Sequence, residues 1–444
     1  MFKPARFSGG THPRSSKNTH SCATVVLDDF ATIRIPMIMH NGPPSVCLVK
    51  AGDLVEIGQL IGQADSPMAV PIHASVSGKV RAIADEVAYS GQLMTVVTID
   101  NDRQNTIHAS VVPPVVNDRN DFIQAIRDSG LVGLGGAGFP TYLKLKPPAG
   151  KEPDTLVINA AECEPYVSSD NRLCIENPAA IIEGIEQVMK FMAIPLARIG
   201  IEDNKPEAIA SLRKALEQRP AGSPAIELVP LHTRYPQGAE KMLIYALTGR
   251  EIPSGGLPHD VRVMVLNVGT VHFIAKYLKT GLPLVRRQIT VDGSGVKAPC
   301  NVSVPIGALI PDVIEAAGGL VGEAGKVIMG GSMMGVALDR LESSVIKNNN
   351  AILVFDQKEA EIPQETQCIR CGRCVEACPM HLMPTMLDVG ARNKDVEQLE
   401  EYYALDCIEC GCCTYVCPAK RYLVQSIRAG KSYVRQAQAK EGTN

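Results

Sequence analysis

Two runs of cysteine near the C-terminus share one pattern: Cys368, Cys371, Cys374 and Cys378 before Pro379, then Cys407, Cys410, Cys413 and Cys417 before Pro418. Each run reads C-x2-C-x2-C-x3-C-P. In such a run three closely spaced thiolates hold one 4Fe–4S cluster, while the fourth, beyond a longer gap, ligates the other cluster of a pair. The doubled spacing therefore assigns Cys368, Cys371, Cys374 and Cys417 to one cluster, and Cys407, Cys410, Cys413 and Cys378 to a second. Such equipment carries single electrons. Structural zinc also uses CxxC pairs, two per tetrahedral ion, a geometry that these triple runs overfill. Disulfides suit small secreted scaffolds, whereas this chain is long and shows no secretory leader pattern. Cys412 lies inside the second run but off its spacing, and Cys22, Cys47, Cys163, Cys174 and Cys300 stand singly. Those six read as ordinary buried or free cysteines.

A second candidate lies between Gly130 and Leu145, where Gly133, Gly135 and Gly138 satisfy GxGxxG, with Gly136 between them. A dinucleotide fingerprint follows a strand and opens a helix. Here Asp121 to Asp128 reads as a helix leading into the loop, so this is not an ordinary Rossmann site. Glycines lacking a Cβ still let backbone N–H groups close on a phosphate or a ring edge, and Lys144 stands close by in sequence to supply charge. On the loop alone two readings stay open, a phosphate-bearing cofactor and a tight turn.

The elements that must hold these residues divide the chain. Residues 1–25 are polar, with Gly9, Gly10 and Pro13 among Ser and Thr, and read as a lead-in arm. Residues 26–105 carry short β-rich runs between glycine turns. Lys50 to Gly62 with Ala74 to Val80 resembles the barrel-sandwich hybrid of biotinyl and lipoyl carriers. The tip, Asp65 to Val70, has no lysine to carry a prosthetic group, so the module is expected to be structural. Residues 115–282 alternate helix and strand, as in Leu156-Val157-Ile158, the amphipathic run Pro178 to Met192, Arg198 to Ile201 and Val261 to Leu266, which predicts an α/β layer with a largely parallel sheet. Residues 283–345 form a small α+β module. Residues 358–425 hold the cysteine runs, joined by a charged helical segment from Leu387 to Leu405. Residues 426–444 make a basic helical tail, open to an acidic partner or anionic membrane face or else a solvated helix face.

A length of 444 residues predicts about three domains, and 45% hydrophobic content supports packed cores. The net charge of −3 gives no broad basic surface for a phosphate backbone, and with 4% aromatics and no Trp there is no stacking platform. Nucleic acid is therefore not an expected partner. No segment approaches the roughly 20 apolar residues that span a bilayer.

The surroundings of the glycine loop add a family resemblance. Gly-Gly-Ala-Gly-Phe-Pro-Thr at 135–141, Asn159-Ala160-Ala161-Glu162-Cys163-Glu164-Pro165 and Asn267-Val268-Gly269-Thr270 resemble the flavin segments of the NADH-oxidising flavoprotein subunit of respiratory complex I. Two positions depart from that pattern: Ala161 stands where complex I has Asp, and Leu134 where it has Arg. Tyr235 to Lys241, Leu247 to Glu251, the hybrid barrel and the doubled ferredoxin run together resemble the RnfC family of Rnf electron transport complexes, over nearly the whole chain.

The resemblance implies a multidomain α/β protein: a barrel-sandwich hybrid, a complex I flavoprotein-like α/β domain, a β-grasp module of SLBB type and an α-helical two-cluster ferredoxin domain. It implies FMN held by Gly133, Gly135, Gly136, Gly138 and Lys144, with Asn159, Glu162, Glu164, Asn267 and Thr270 lining the flavin and nicotinamide side. NAD(H) is the implied substrate, alongside the two 4Fe–4S clusters. The implied setting is a membrane complex exchanging electrons between ferredoxin and NAD coupled to ion translocation. This chain would be its peripheral subunit on the cytoplasmic face, in contact with the other subunits and only indirectly with ferredoxin. Two alternatives stand beside it: a soluble cobalamin reductase of similar layout, and a non-enzymatic adaptor that keeps clusters but not flavin.

Overall fold

A buried parallel sheet organises the centre of the molecule, whose computed structural model describes residues 3–87 and 93–441. Its four strands lie in the order Ala225–Leu231, Leu196–Glu202, Thr155–Ala160, Val263–Asn267. The strand Thr155–Ala160 is apolar almost throughout because helices cover both faces of the sheet. Leu156 and Ile158 enter the large core with Ile181 and Ile185 of the helix Pro178–Met192. Val157 joins Leu243 and Leu247 of the helix Glu240–Thr248 instead. Gly184 lets the helix Pro178–Met192 lie against the helix Val268–Thr280, since a Cβ there would overlap the Val271 carbonyl. From Thr155–Ala160 the chain builds outward to one side and returns to the other with Val263–Asn267. Strand order therefore reverses between these two neighbours, where Asn159 and Asn267 are register partners.

The hybrid barrel is two small sheets. One is ordered Thr32–Pro36, Leu93–Asn101, Gly78–Val87, Leu54–Val55, and the other Val46–Cys47, Leu60–Gln63, Ile72–His73. Its lysine-free tip is a packing surface: Tyr142 donates to the Pro67 carbonyl, and Asn41 N donates to Gly138 O at 2.9 Å. The β-grasp module is larger than residues 283–345. Its six-stranded sheet takes in Ala351–Phe355 as an inner strand and Thr24–Val26 as an edge strand.

The arm is likewise part of the packed fold. Phe7, Thr11 and Thr19 are buried, Thr11 pairs with Tyr235, and Gly10 N donates to Ala377 O at 2.9 Å. The connection between the cysteine runs is two helices, Pro384–Asn393 and Val396–Glu401, in place of the one expected over 387–405. Lys394 adopts a left-handed conformation and ends the first, and Asp395 accepts from Gln398 N to start the second. The tail continues a single helix, Leu423–Glu441. Leu423, Ile427 and Val434 pack on Leu387, Ala391 and Leu399, so its inner half belongs to the cluster domain and is not a free basic face.

Candidate functional site

The glycine loop closes on itself: Val132 bridges Pro140, and Gly133 N donates to Phe139 O at 2.8 Å. Thr270, fully buried, accepts from Leu134 N at 3.1 Å, and Arg287 donates to Leu134 O at 3.1 Å. These bonds hang the loop over the carboxyl ends of the strands. A Cβ at Gly135 would lie 3.4 Å from the Asn267 side chain, whereas at Gly136, with φ of +113°, it would meet nothing within 4 Å. The loop thus has one side packed and one side open.

Below it, Asn267 accepts from Gly269 N at 2.8 Å and donates to Asp170 at 2.7 Å. Asn159 donates to Gly238 O at 2.9 Å and accepts from Ala161 N at 3.2 Å. Gly133, Gly135, Gly136, Gly138, Asn159, Asn267 and Thr270 therefore gather where the strand order reverses, the crevice in which open α/β sheets bind ligands. A glycine cradle with an open face beside fixed amide side chains fits a flat, phosphate-bearing cofactor.

Three other predicted residues are engaged differently. Lys144, at the end of the short helix Thr141–Lys144, donates to Glu240 at 3.1 Å and to Val265 O at 3.2 Å, so its charge is paired at the sheet edge. Glu162 accepts from Asp170 N at 2.6 Å and Asn171 N at 3.1 Å, in the first turn of the helix Ser169–Glu176. Burial pushes its carboxyl up against the opposing charge of Lys17. Glu164 accepts from Met333 N at 2.9 Å and Met334 N at 3.0 Å, and burial raises it as well. Lys17 was not foreseen: from the arm it donates to the carbonyls of Glu162 and Glu164, both at 2.9 Å, and to that of Val167. A lone lysine in a polar arm carries no sequence signal for this role.

From the strand ends a buried seam runs to the cluster domain. Gly238, whose carbonyl holds Asn159, donates its N–H to Cys163 Sγ at 3.4 Å. Tyr235 donates its hydroxyl to Cys410 O at 2.8 Å, and Cys412 Sγ lies 3.9 Å from Tyr235 O. Tyr235, Ala377, Cys410 and Cys412 form one apolar cluster, flanked by Cys163 and Met333.

Cys378, Cys407, Cys410 and Cys413, the four predicted ligands of the second cluster, ring a small apolar cavity closed by Leu387, Val424 and Ile427. Burial pushes the Cys407 thiol up to about 11 and raises Cys378 and Cys413 too. Burial disfavours the thiolate at those three positions, and bound iron would supply a positive centre that offsets it. For the first set, Cys417 and Cys368 are the neighbouring thiols that raise Cys374, after burial, while Cys368 and Cys371 are exposed. Among the described residues no three His, Cys, Asp or Glu groups converge as ligands of a single ion; the second set surrounds a cavity. A separate cavity of about 410 Å³ lies between the hybrid barrel and the β-grasp sheet. It meets the glycine loop through Asn348, which donates to Gly136 O at 3.0 Å.

Comparison with known proteins agrees with this layout. Residues 5–104 match the RnfC barrel sandwich hybrid domain, 126–276 the Nuo51 FMN-binding domain, 288–337 the SLBB domain and 361–433 the 4Fe–4S dicluster domain. A subunit of the proton-translocating ferredoxin:NAD(+) oxidoreductase complex of Clostridium ljungdahlii is 42% identical, over 98% of this chain and 95% of that protein. Its Na(+)-translocating counterpart in Acetobacterium woodii is 42% identical, over 97% of each. A polypeptide of a NAD+-reducing [NiFe]-hydrogenase in the H2-reduced state shares the fold, with a TM-score of 0.50 and 20% identity over 72% of this chain and 62% of that one.

Proposed function

The chain belongs to the RnfC family, whose members are subunits of ion-translocating ferredoxin:NAD(+) oxidoreductase complexes, and from that premise we propose that it passes electrons between NADH at a flavin and two 4Fe–4S clusters. Near-full-length similarity to two such subunits favours this reading over a cobalamin reductase or a flavin-free adaptor. A bound flavin exchanges hydride with nicotinamide as an electron pair and passes electrons to clusters singly, the conversion that a nicotinamide-to-cluster path requires.

The residues supply binding and placement. Gly133, Gly135, Gly136 and Gly138 leave room for the cofactor at the loop. Asn159 and Asn267, held by Gly238 and Asp170, and Thr270, holding the loop backbone, fix the walls of the crevice. Glu162 and Glu164 support that site through backbone amides, and Lys144 through Glu240. The eight cysteines are assigned as above: Cys407, Cys410, Cys413 and Cys378 hold the cluster nearer the flavin, and Cys368, Cys371, Cys374 and Cys417 the outer one. The observation that carries this order is the buried seam from Asn159 and Gly238 through Cys163 and Tyr235 to Cys410.

Among the described residues no helix is long and apolar enough to cross a membrane. We place the chain peripherally on the cytoplasmic face, where NADH is available, and assign helical ion paths to other subunits. The test is an anaerobic NADH titration of the cluster-loaded, FMN-supplemented protein, following flavin absorbance and the paramagnetic signal of reduced clusters together. Flavin bleaching followed by cluster reduction is expected. Clusters that dithionite reduces but NADH does not would move the nucleotide chemistry to a partner.

A further inference from the structure

The two cysteine runs repeat one backbone. Arg370 and Glu409 both have φ of +56°, Gly372 and Gly411 are left-handed at +77° and +79°, and His381 and Lys420 at +55° and +53°. Arg370 N and Glu409 N each point at the Sγ of the preceding cysteine, Cys368 and Cys407, at 3.4 Å. Side chains at matching places meet opposite surroundings. Ile408 packs beside Tyr235 and Met333, whereas its counterpart Ile369 is 67% exposed. Glu409 is tied to Arg428 at 2.9 Å and Lys431 at 2.6 Å. Its counterpart Arg370, with Arg373 and Lys420 beside the other ligands of the outer set, has no ion pair among the described residues. Glu376 is the acid that shares the short helix of Arg373.

We propose that this bare face, centred on Ile369 with Arg370, Arg373 and Lys420 at its rim, docks the acidic, redox-centre-bearing face of another subunit of the complex. The molecule itself shows how such a loop is covered. In the second run, Ile408 lies under the flavin domain's Tyr235, the neighbour with which that set would exchange electrons. An exposed apolar centre within a cationic rim fits an acidic partner, whose approach the rim charges steer. Cys368 and Cys371 are exposed at that face, so a partner seated there would lie against the ligands of the outer set. The proposal rests on the cluster assignment above for its purpose, but not for its measurement.

Binding is read without electron flow. Full-length, cluster-loaded chain is rebound to salt-washed membranes of cells lacking this chain, comparing wild type, Arg370→Glu/Arg373→Glu and, as a control, Lys214→Glu on the outer helix Pro206–Glu217. The double reversal is expected to weaken rebinding by roughly tenfold or more and to remove most of its salt dependence, with the control unchanged. Cluster absorbance reports whether the variant is intact. If the reversal blocks loading, Ile369→Asp takes its place with the same expected loss. Rebinding within about twofold of wild type overturns the proposal. So does an equal loss of binding to protein-free anionic phospholipid vesicles, which would make the face a lipid contact. The expected rebinding loss, found in a protein that NADH cannot reduce, would leave the docking face standing and remove the nucleotide reading.

Discussion

The two halves of the cluster domain have nearly the same backbone and opposite lives. Around Cys407, Cys410 and Cys413 the neighbouring residues provide coverage. Tyr235 caps a carbonyl, Lys431 donates to Cys407 O at 2.7 Å, and Cys412 is fully buried against the flavin domain. Around Cys368 and Cys371 there is almost none, and the thiols, Ile369 and two arginines stand in solvent. Ligand spacing fixes how a cluster is gripped. The residues between the ligands decide whether it faces inward or outward, and that difference gives a duplicated motif a direction.

The largest test breaks the halves one at a time. Cys410→Ala and Cys371→Ala are each expected to halve the iron content, because each removes a ligand of one of the two proposed clusters. They differ in what survives: with Cys371→Ala NADH still reduces the remaining cluster, and with Cys410→Ala it does not. Paramagnetic resonance after NADH addition distinguishes them, and the reverse result would reverse the order of the clusters.

A second test asks whether coverage, more than pairing, sets the cost of a cation. Among the described residues Arg370 and Arg373 pair with no carboxylate, but they stand in water, where that costs little. Lys347 also lacks one among the described residues, yet it is fully buried, donating to Pro71 O at 2.6 Å and Gly130 O at 2.7 Å beneath the glycine loop. Burial pushes its ammonium down to about 7. The folded state therefore holds fewer protons than the unfolded chain between that value and the ordinary lysine range. Stability rises with pH through that window and is lost as pH falls through about 7. Wild type is expected to gain about 2 kcal/mol between pH 7 and 9 that Lys347→Met does not, measured as the difference in their denaturation midpoints. Equal slopes would mean that burial does not hold this lysine neutral.

The sequence made local rules visible and hid long-range ones. The cluster spacing and the helix Pro178–Met192 were legible because ligation and amphipathic period are written in consecutive residues. The single helix expected over 387–405 was not, because Lys394 in a left-handed turn and Asp395 as a cap override the charged periodicity. The arm's polar composition concealed that Phe7 and Lys17 reach buried partners far along the chain. At the strand ends, the glycines of the loop lie beside Asn159 and Asn267, which face each other on neighbouring strands. The engagements of Glu162, Glu164 and Lys144 with Asp170, Met333 and Glu240 depended on chain crossings that no motif records.

The smallest effect is the most direct measure of coverage, because it compares single groups. Tyr235→Phe removes only the hydroxyl that donates to Cys410 O, leaving a buried carbonyl without its donor, a loss of about 1–2 kcal/mol. Ile369→Ser, in the bare half, removes a side chain that is already 67% exposed and is expected to change the isolated chain by no more than about 0.5 kcal/mol. Denaturant midpoints of the two cluster-loaded variants at unchanged m-value give both numbers. A larger cost for Ile369→Ser than for Tyr235→Phe would mean that the outer half is packed within the chain, and the asymmetry between the two runs would lose its physical basis.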